Sequence, residues 1–478
     1  SNTVSSVDLS EHPLAEIDKY HPPLEIRINI ESTQPNNFSV NTQTMQFNFK
    51  KANFPSLYNA LSLVDWSFLD NNSLDVNTAC SMFYETLNKL FEISVPKFKY
   101  NKKHQVFPPW FDRKIIECLR QKAYFHKKFK KFRRQSDYDK FKHFRSITKS
   151  LISQSYTQYL QDIQRSITQD PKKFWAFIQN KRGGSRIPNI MNFNGQDLSN
   201  PNEIVNAFSS FFNSVYIPSD PNISLPQCTQ DIPNLLVSIC HISEDEILQA
   251  LKNCKNSLTA GVDHIPSFLL KDCAYIFVKP LYILFNLIIK TSVFPELWKR
   301  AAVTPIFKTG DPSLVENYRP ICLLCNFAKV LESIIYKHIY SNIRCFITPS
   351  QHGFMENKST VTNLACFNQY VSEAIDRKNQ VDVIYTDFRK AFDQIDHYLL
   401  IKKLQAFGFS LSLLLLLESY LLNRELFVKY HNFCSTSFFP TSGVPQGSNL
   451  GPLLFLLFVN DVCNVVSCES LLFADDLK

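Results

Sequence analysis

The feature that most restricts how this chain can fold is a short apolar run, Leu471-Leu472-Phe473-Ala474, that stops at two adjacent carboxylates, Asp475 and Asp476. Apolar neighbours of this kind form a buried strand, and a buried strand cannot carry paired negative charge unless the chain turns out of the core there. The two acids are therefore expected at a turn joining two strands. Like charges side by side repel, so such a turn must be solvated or bound to a cation. Taken alone, the motif also reads as a plain exposed acidic turn.

Two further segments bear on that choice. In Val381-Asp382-Val383-Ile384-Tyr385-Thr386-Asp387, the residues Val381, Val383 and Tyr385 alternate with others. This predicts a strand with Asp387 at its end and a turn or helix from Phe388 to Asp393. An acid in that position can be a metal ligand or a helix cap. In Ser442-Gly443-Val444-Pro445-Gln446-Gly447-Ser448, two glycines flank a proline ahead of an apolar helix. The pattern predicts a tight loop whose backbone can approach a ligand closely, although a simple helix-initiating turn has the same look. Together the three segments gain meaning. Phosphoryl transfer by two metal ions needs carboxylates from separate strands converging on cations about 3.5–4 Å apart. Hard cations such as Mg²⁺ take oxygen ligands. An Asp at one strand end and an Asp-Asp pair at a hairpin tip meet that need if the strands are neighbours.

Length and composition set the frame for these motifs. At 478 residues the chain exceeds one ordinary core and predicts roughly two to four domains. Hydrophobic content of 45% with charged content of 20% is that of a soluble globular protein. The apolar runs at 411–422 and 452–459 are shorter than the roughly 20 residues of a membrane span, so they read as core helices and no membrane is expected. The 13 cysteines are odd in number and lack a framework spacing, which predicts reduced thiols. Cys322 and Cys325 have no second pair and no nearby His, and read as buried thiols rather than zinc ligands.

A net charge of +8 points to a polyanionic partner, and its excess is concentrated at 113–165. There Lys127, Lys128, Lys130, Lys131, Arg133 and Arg134 stand among Tyr124, Phe125, Phe129, Phe132, Tyr138, Phe141 and Phe144. Phe125, Phe129 and Phe132 share one helical face. The segment is either a solvated helix packed through its aromatic stripe or a helix lying along nucleic-acid phosphates. Around it the chain divides into five stretches. Residues 1–30 end in an alternating strand (Leu24, Ile26, Ile28, Ile30). Residues 31–112 hold a polar linker and a helical segment, and 113–182 form the basic helical region. Residues 183–240 are a loop-rich hinge. Residues 241–478 carry the chemistry, opened by a capping box at Ser243 and Glu246.

The order Asp387-Phe388-Arg389-Lys390-Ala391-Phe392-Asp393, Gly443-Val444-Pro445-Gln446-Gly447-Ser448, Phe473-Ala474-Asp475-Asp476 resembles the palm motifs of LINE-type (non-LTR) retrotransposon reverse transcriptases of the jockey-like kind. Ala260-Gly261-Val262-Asp263-His264-Ile265-Pro266 resembles that family's first finger motif. The stretches 294–311, Glu316-Asn317-Tyr318-Arg319-Pro320-Ile321, and Gln351-His352-Gly353-Phe354 with Lys358-Ser359-Thr360 resemble those that follow. The likeness spans roughly residues 240–478.

The resemblance implies an α+β, right-hand polymerase fold with fingers and palm at 241–478, a mostly helical basic extension before them, and the thumb missing. It implies RNA-directed DNA polymerase activity in target-primed reverse transcription, with attack of a primer 3′-hydroxyl on the α-phosphate of a deoxynucleoside triphosphate. The cofactor would be two Mg²⁺ ions held by Asp387, Asp475 and Asp476, with the Phe388 carbonyl beside them. Lys308 and Arg319 would grip the triphosphate. Gln446 and Gly447 would line the nucleotide and template strand. Phe392 would leave no room for a sugar 2′-hydroxyl. Asp393 and Asp396 are expected in local salt bridges or caps. The partners would be template RNA, a DNA primer or target, and deoxynucleoside triphosphates, at an intracellular, nuclear location. Residues 108–113 resemble the linker ahead of the polymerase in these elements. Asp18-Lys19-Tyr20-His21 resembles the end of their endonuclease, which makes residues 1–30 a remnant of its last strand and His21 a structural remnant. A chain that stops two residues after Asp476 without a thumb is expected to be weak or inactive. Two alternatives stay open: another RNA-templated polymerase, which Phe392 argues against, and a decayed, non-catalytic remnant that binds nucleic acid through 113–165.

Overall fold

Helices from two distant stretches of chain share one hydrophobic core, and this decides the architecture. The computed structural model describes residues 4–9, 24–28, 46–71, 73–98, 107–181, 187–218, 235–430 and 433–478. In the helix Val76–Ser94, Ala79, Phe83, Leu87 and Phe91 recur every fourth position and are buried. The Phe83 ring meets Phe327 edge-on at 5.1 Å, and Phe277 of the helix Ala274–Thr291 meets the same ring at 5.2 Å. Each such ring contributes about 1.5–3 kcal/mol by leaving water. A polar chain reinforces the contact: Trp298 Nε1 donates to the Tyr84 hydroxyl at 2.9 Å, which donates to Asp263 at 3.0 Å. The helical part of the 31–112 stretch therefore shares the core of the chemistry-bearing region.

By compactness the chain divides into residues 1–46 with 97–102, and 47–96 with 103–478. In the first unit Leu24–Ile28 is a strand, as its alternation predicts, and it pairs antiparallel with Val4–Leu9, Leu9 opposite Leu24. Asp18, His21 and Ile30 lie outside the described residues.

In the second unit one sheet combines β1 (Ala301–Phe307), β2 (Tyr318–Leu323), β4 (Leu426–Tyr430) and β5 (Phe433–Cys434), in the order β5-β4-β1-β2. The stretch read as a loop-rich hinge covers this sheet. After a hairpin at 191–198, whose Asn194-Gly195 turn has both residues at positive φ, the helix Pro201–Asn213 packs Ile204, Val205, Phe208 and Phe212 with Val303, Tyr318, Leu426 and Val428. Asn200 caps that helix by accepting from the Asn202 N–H at 3.1 Å. Pro201 opens this helix rather than breaking it, because proline suits the first turn, so the described part of 183–240 is more ordered than a loop-rich hinge.

The basic region is a pair of helices, Arg113–Phe132 and Gln135–Ser166, followed by Pro171–Lys181. Phe125 stacks on Phe144 at 5.7 Å, Phe129 tilts against Tyr138 at 4.9 Å, and His126 stacks on Phe141 at 4.7 Å. The aromatic stripe is the seam between the helices, except that Phe132 at the tip is half exposed. The apolar helices Leu411–Leu421 and Gly451–Val459 are core, as expected. Ala274–Thr291 is long and apolar enough to cross a membrane by length and composition, and half of it is buried in the shared core.

Candidate functional site

The acidic segments meet in a second sheet, made of β3 (Thr386–Asp387), β6 (Leu472–Phe473) and β7 (Asp476–Leu477) in the order β6-β7-β3. Strands β6 and β7 form a hairpin with Leu472 opposite Leu477 and Phe473 opposite Asp476. Its turn is Ala474-Asp475, with Ala474 at φ 56°; Asp476, expected at the turn beside Asp475, is instead the first residue of β7, because it pairs with Phe473. Strand β3 pairs antiparallel with β7, so that Asp387 lies directly opposite Asp476. Direct partners in an antiparallel ladder have Cα atoms about 4.5–5.5 Å apart and point to the same face. Two acids far apart in sequence are thus neighbours, with Asp475 next to one of them. Asp387 and Asp476 are exposed and Asp475 is half-buried.

No carboxylate of the three has a hydrogen-bond or ion-pair partner among the described residues. Unpaired carboxylate oxygens are the donors a hard divalent cation takes, so the residue types fit Mg²⁺. The described residues contain no group of three or more His, Cys, Asp or Glu drawn close enough to hold a metal ion. The backbone register is in place while the three side chains stand short of a closed ligand set. Phe388, whose carbonyl was assigned to the same ions, follows Asp387 directly and is exposed.

The strand predicted over 381–387 is only Thr386–Asp387, and Val383, Ile384 and Tyr385 are 37%, 77% and 69% exposed. Alternation supplies an apolar face, but a ladder also needs a partner, and β7 offers β3 only two residues.

The glycine loop does more than start a helix. Gly443 N donates to Ile395 O at 2.7 Å and Val444 N to Phe392 O at 2.8 Å, while Cys322 N of β2 donates to Gln446 O at 2.9 Å. Gly443 and Gly447 hold φ of +81° and +113°, and a Cβ at either would lie 2.6 Å from the Asp393 carbonyl oxygen or 2.9 Å from that of Cys322. The glycines are required by this double contact. Asp393, expected in a salt bridge or cap, is instead buried and accepts from Gln446 Nε2 at 2.7 Å. Burial pushes its carboxyl up, opposed by that bond and by the Lys390 charge. Asp396 does cap, accepting from Leu399 N at 2.8 Å. The Phe392 ring stacks on Phe455 at 4.5 Å and meets Phe354 edge-on at 6.0 Å.

Lys308 and Arg319 come from the facing ends of β1 and β2. Ile306 pairs with Arg319, and Lys308 N donates to Asn317 O at 2.9 Å. Both side chains are exposed. Burial holds Lys390 below its ordinary range; Asp393 pulls it back up, and Lys308, Arg319 and Arg389 push it down. Its Nζ sits 5.0 Å from the Phe211 ring centroid. Arg389 and Lys390 lie within the Asp387–Asp393 motif, and their signal in the sequence is basic charge just after the first acid. Cys322 and Cys325 are buried thiols, the former pushed up to about 11 by burial. On the basic helices, Lys127, Lys130, Lys131, Arg133 and Arg134 are exposed, and Lys128 places Nζ 4.9 Å from the Tyr124 ring. None of the six has an ion-pair partner among the described residues.

Residues 306–478, which include the three acids and the glycine loop, match the family described as reverse transcriptase (RNA-dependent DNA polymerase). The chain is 25% identical over 468 residues to a probable RNA-directed DNA polymerase from transposon BS of Drosophila melanogaster, covering 94% of this chain and 50% of that protein. It is 33% identical over 241 residues to a probable RNA-directed DNA polymerase from transposon X-element of the same organism, covering 48% and 25%. It is 32% identical over 185 residues to the RNA-directed DNA polymerase from mobile element jockey, covering 38% and 20%.

Residues 306–478 are a reverse-transcriptase domain similar to those of LINE-type elements.

It spans about half the length of the first of these relatives and a quarter or less of the other two. The reverse-transcriptase match begins inside β1, so Lys308, Arg319, the acid sheet and the glycine loop all fall within it, while the helix 76–94 and the basic helices precede it.

Proposed function

We propose that this chain is the polymerase portion of a non-LTR retrotransposon protein and performs RNA-directed DNA synthesis for target-primed reverse transcription. The observation that carries the reading is the register placing Asp387 opposite Asp476, with Asp475 at the adjoining turn. Asp387, Asp475 and Asp476, with the Phe388 carbonyl, would hold two Mg²⁺ ions, whose chemistry is to acidify the primer 3′-hydroxyl and neutralise the departing pyrophosphate. The chain's own groups do the rest. Lys308 and Arg319, joined by Lys390, bind the triphosphate oxygens. Phe392, braced by Phe455, fills the space a 2′-hydroxyl would need. Gln446, tied to Asp393, and Gly447, seated on β2, form the wall beside the nucleotide and the template strand. The fingers and palm occupy 241–478, completed by the helices of 54–94. On the basic helices most of the aromatic rings are spent on the seam, so the cations contact backbone phosphates of RNA or DNA rather than reading bases. The place of action is nuclear, where chromosomal target DNA lies.

Extension of a DNA primer on an RNA template with deoxynucleoside triphosphates and Mg²⁺ tests the reading. Synthesis abolished by chelation and by Asp387→Asn or Asp476→Asn is expected; synthesis indifferent to both substitutions overturns it. One observation favours a second reading, a non-catalytic nucleic-acid-binding remnant: the three acidic side chains are not gathered into a ligand set. Salt-sensitive RNA binding with no Mg²⁺-dependent synthesis would select that alternative.

A further inference from the structure

We infer that Gln351 is a positioning residue for the acidic hairpin, acting through the backbone of Ala474 to hold Asp475 and Asp476 in register with Asp387. The inference rests on the polymerase reading above and adds to it a residue that touches neither metal nor substrate. Gln351 is 1% exposed. Its Oε1 accepts from Gly353 N at 2.7 Å and from Ala474 N at 2.9 Å, and its Nε2 donates to Ala474 O at 3.4 Å. One amide thus occupies both backbone groups of the residue just before Asp475. That residue needs holding, because at φ 56° Ala474 sits in the left-handed region, which a side chain with a Cβ disfavours.

The surrounding contacts serve the same end. Leu472 N donates to Ser350 O, and His352 N to Leu472 O, both at 2.9 Å, forming a parallel bridge between the Gln351 segment and β6. Asn363 Nδ2 donates to Leu472 O at 3.1 Å. A Cβ on Gly353 would fall 2.2 Å from Ala474 N, so only glycine lets the two backbones approach. Lys358 Nζ donates to Gln351 O at 2.9 Å and fixes the segment from outside. An amide suits the position because it accepts two N–H groups through one atom and donates through the other. A carboxylate keeps the first function and loses the second; a thioether loses both.

The test uses the full chain, with Mn²⁺ as the probe and free Mn²⁺ followed by electron paramagnetic resonance. Gln351→Met is expected to weaken Mn²⁺ binding about tenfold or more, the usual cost of losing a group that orients ligands from behind. Gln351→Glu should fall between Met and wild type, and RNA binding should not change. In primer extension, the loss should appear in kcat and in the Mg²⁺ needed for half-maximal rate, with KM for the nucleotide unchanged. Added Mg²⁺ should restore Gln351→Met but not Asp476→Asn. Wild-type Mn²⁺ affinity in folded Gln351→Met, alongside a loss in Asp476→Asn, overturns the inference and leaves the polymerase reading standing. Wild-type affinity in Asp476→Asn overturns that reading itself. If Gln351→Met fails to fold by circular dichroism, folded Gln351→Glu decides, and an unchanged affinity there also overturns the inference.

Discussion

Removing one oxygen atom from Tyr84 tests whether the helix 76–94 is part of the core that carries the acidic site. Tyr84 is almost wholly buried, and its ring lies 5.6 Å from Phe83 and 6.1 Å from Phe327. Tyr84→Phe keeps that packing and leaves no large cavity. It deprives the fully buried Trp298 of the acceptor for its indole N–H and takes one donor from Asp263. An orphaned buried donor costs about 1–3 kcal/mol, and that is the expected loss of stability. The loss should depend on pH. In the folded chain the Asp263 carboxyl is pushed up from 3.8 to about 6 by burial, against the opposing bonds from Ile265 and Tyr84. A carboxyl whose folded pKa is raised stabilises the fold most below its unfolded value, and that contribution is lost as pH rises through the folded one. Stability from this group should therefore fall between about pH 4 and 6, by about 1–3 kcal/mol once its residual solvent contact is allowed for. Tyr84→Phe removes a bond that lowers the pKa, so its window should move upward. Urea unfolding followed by circular dichroism at pH 4.5 and 7 measures both effects. In a double-mutant cycle with Trp298→Phe, the cost of Tyr84→Phe should shrink by about 1 kcal/mol, because the orphan is gone. A cost below about 0.5 kcal/mol at both pH values, the level of an ordinary surface change, would refute the reasoning and return the helix to a peripheral role.

Phe392→Val should open the space behind the Phe455-braced ring and raise incorporation of ribonucleotides relative to deoxynucleotides by about tenfold or more, read by single-nucleotide extension with each substrate. Gly447→Ala places a Cβ 2.9 Å from the Cys322 carbonyl at φ +113° and should lower stability by about 1–3 kcal/mol, measured by thermal unfolding, with loss of synthesis because the loop must leave β2. Replacing Lys127, Lys128, Lys130, Lys131, Arg133 and Arg134 by Gln should weaken RNA binding and flatten its dependence on salt, each lost phosphate contact reducing the log–log slope by about 0.7–0.9, as a filter-binding series in KCl would show. An unchanged slope would remove these cations from the nucleic-acid path.

What the sequence alone determined is what neighbouring residues settle between themselves. The capping box at Ser243 and Glu246, the core helices at 411–421 and 451–459, a hairpin turn at Asp475 and the aromatic stripe on the basic helices follow from spacing and turn chemistry, while the place of Asp476 in the second strand does not. The helix 201–213 is legible in the same terms, from Asn200-Pro201 and the Ile204, Phe208 and Phe212 repeat, because Pro201 suits a first helical position. Tertiary structure decided everything that depends on segments far apart in the chain. Alternation marked Val381, Val383 and Tyr385 as a strand, yet pairing extends only to Thr386 and Asp387, because the available edge is two residues long. Asp393 became a buried acceptor, and Gln351 a clamp on Ala474, because distant backbones approach them. The register of Asp387 against Asp476 belongs to the same class. A side chain's type sets which bonds it can make, while the energy of burial and the geometry of the partner, neither encoded locally, select the ones it does make.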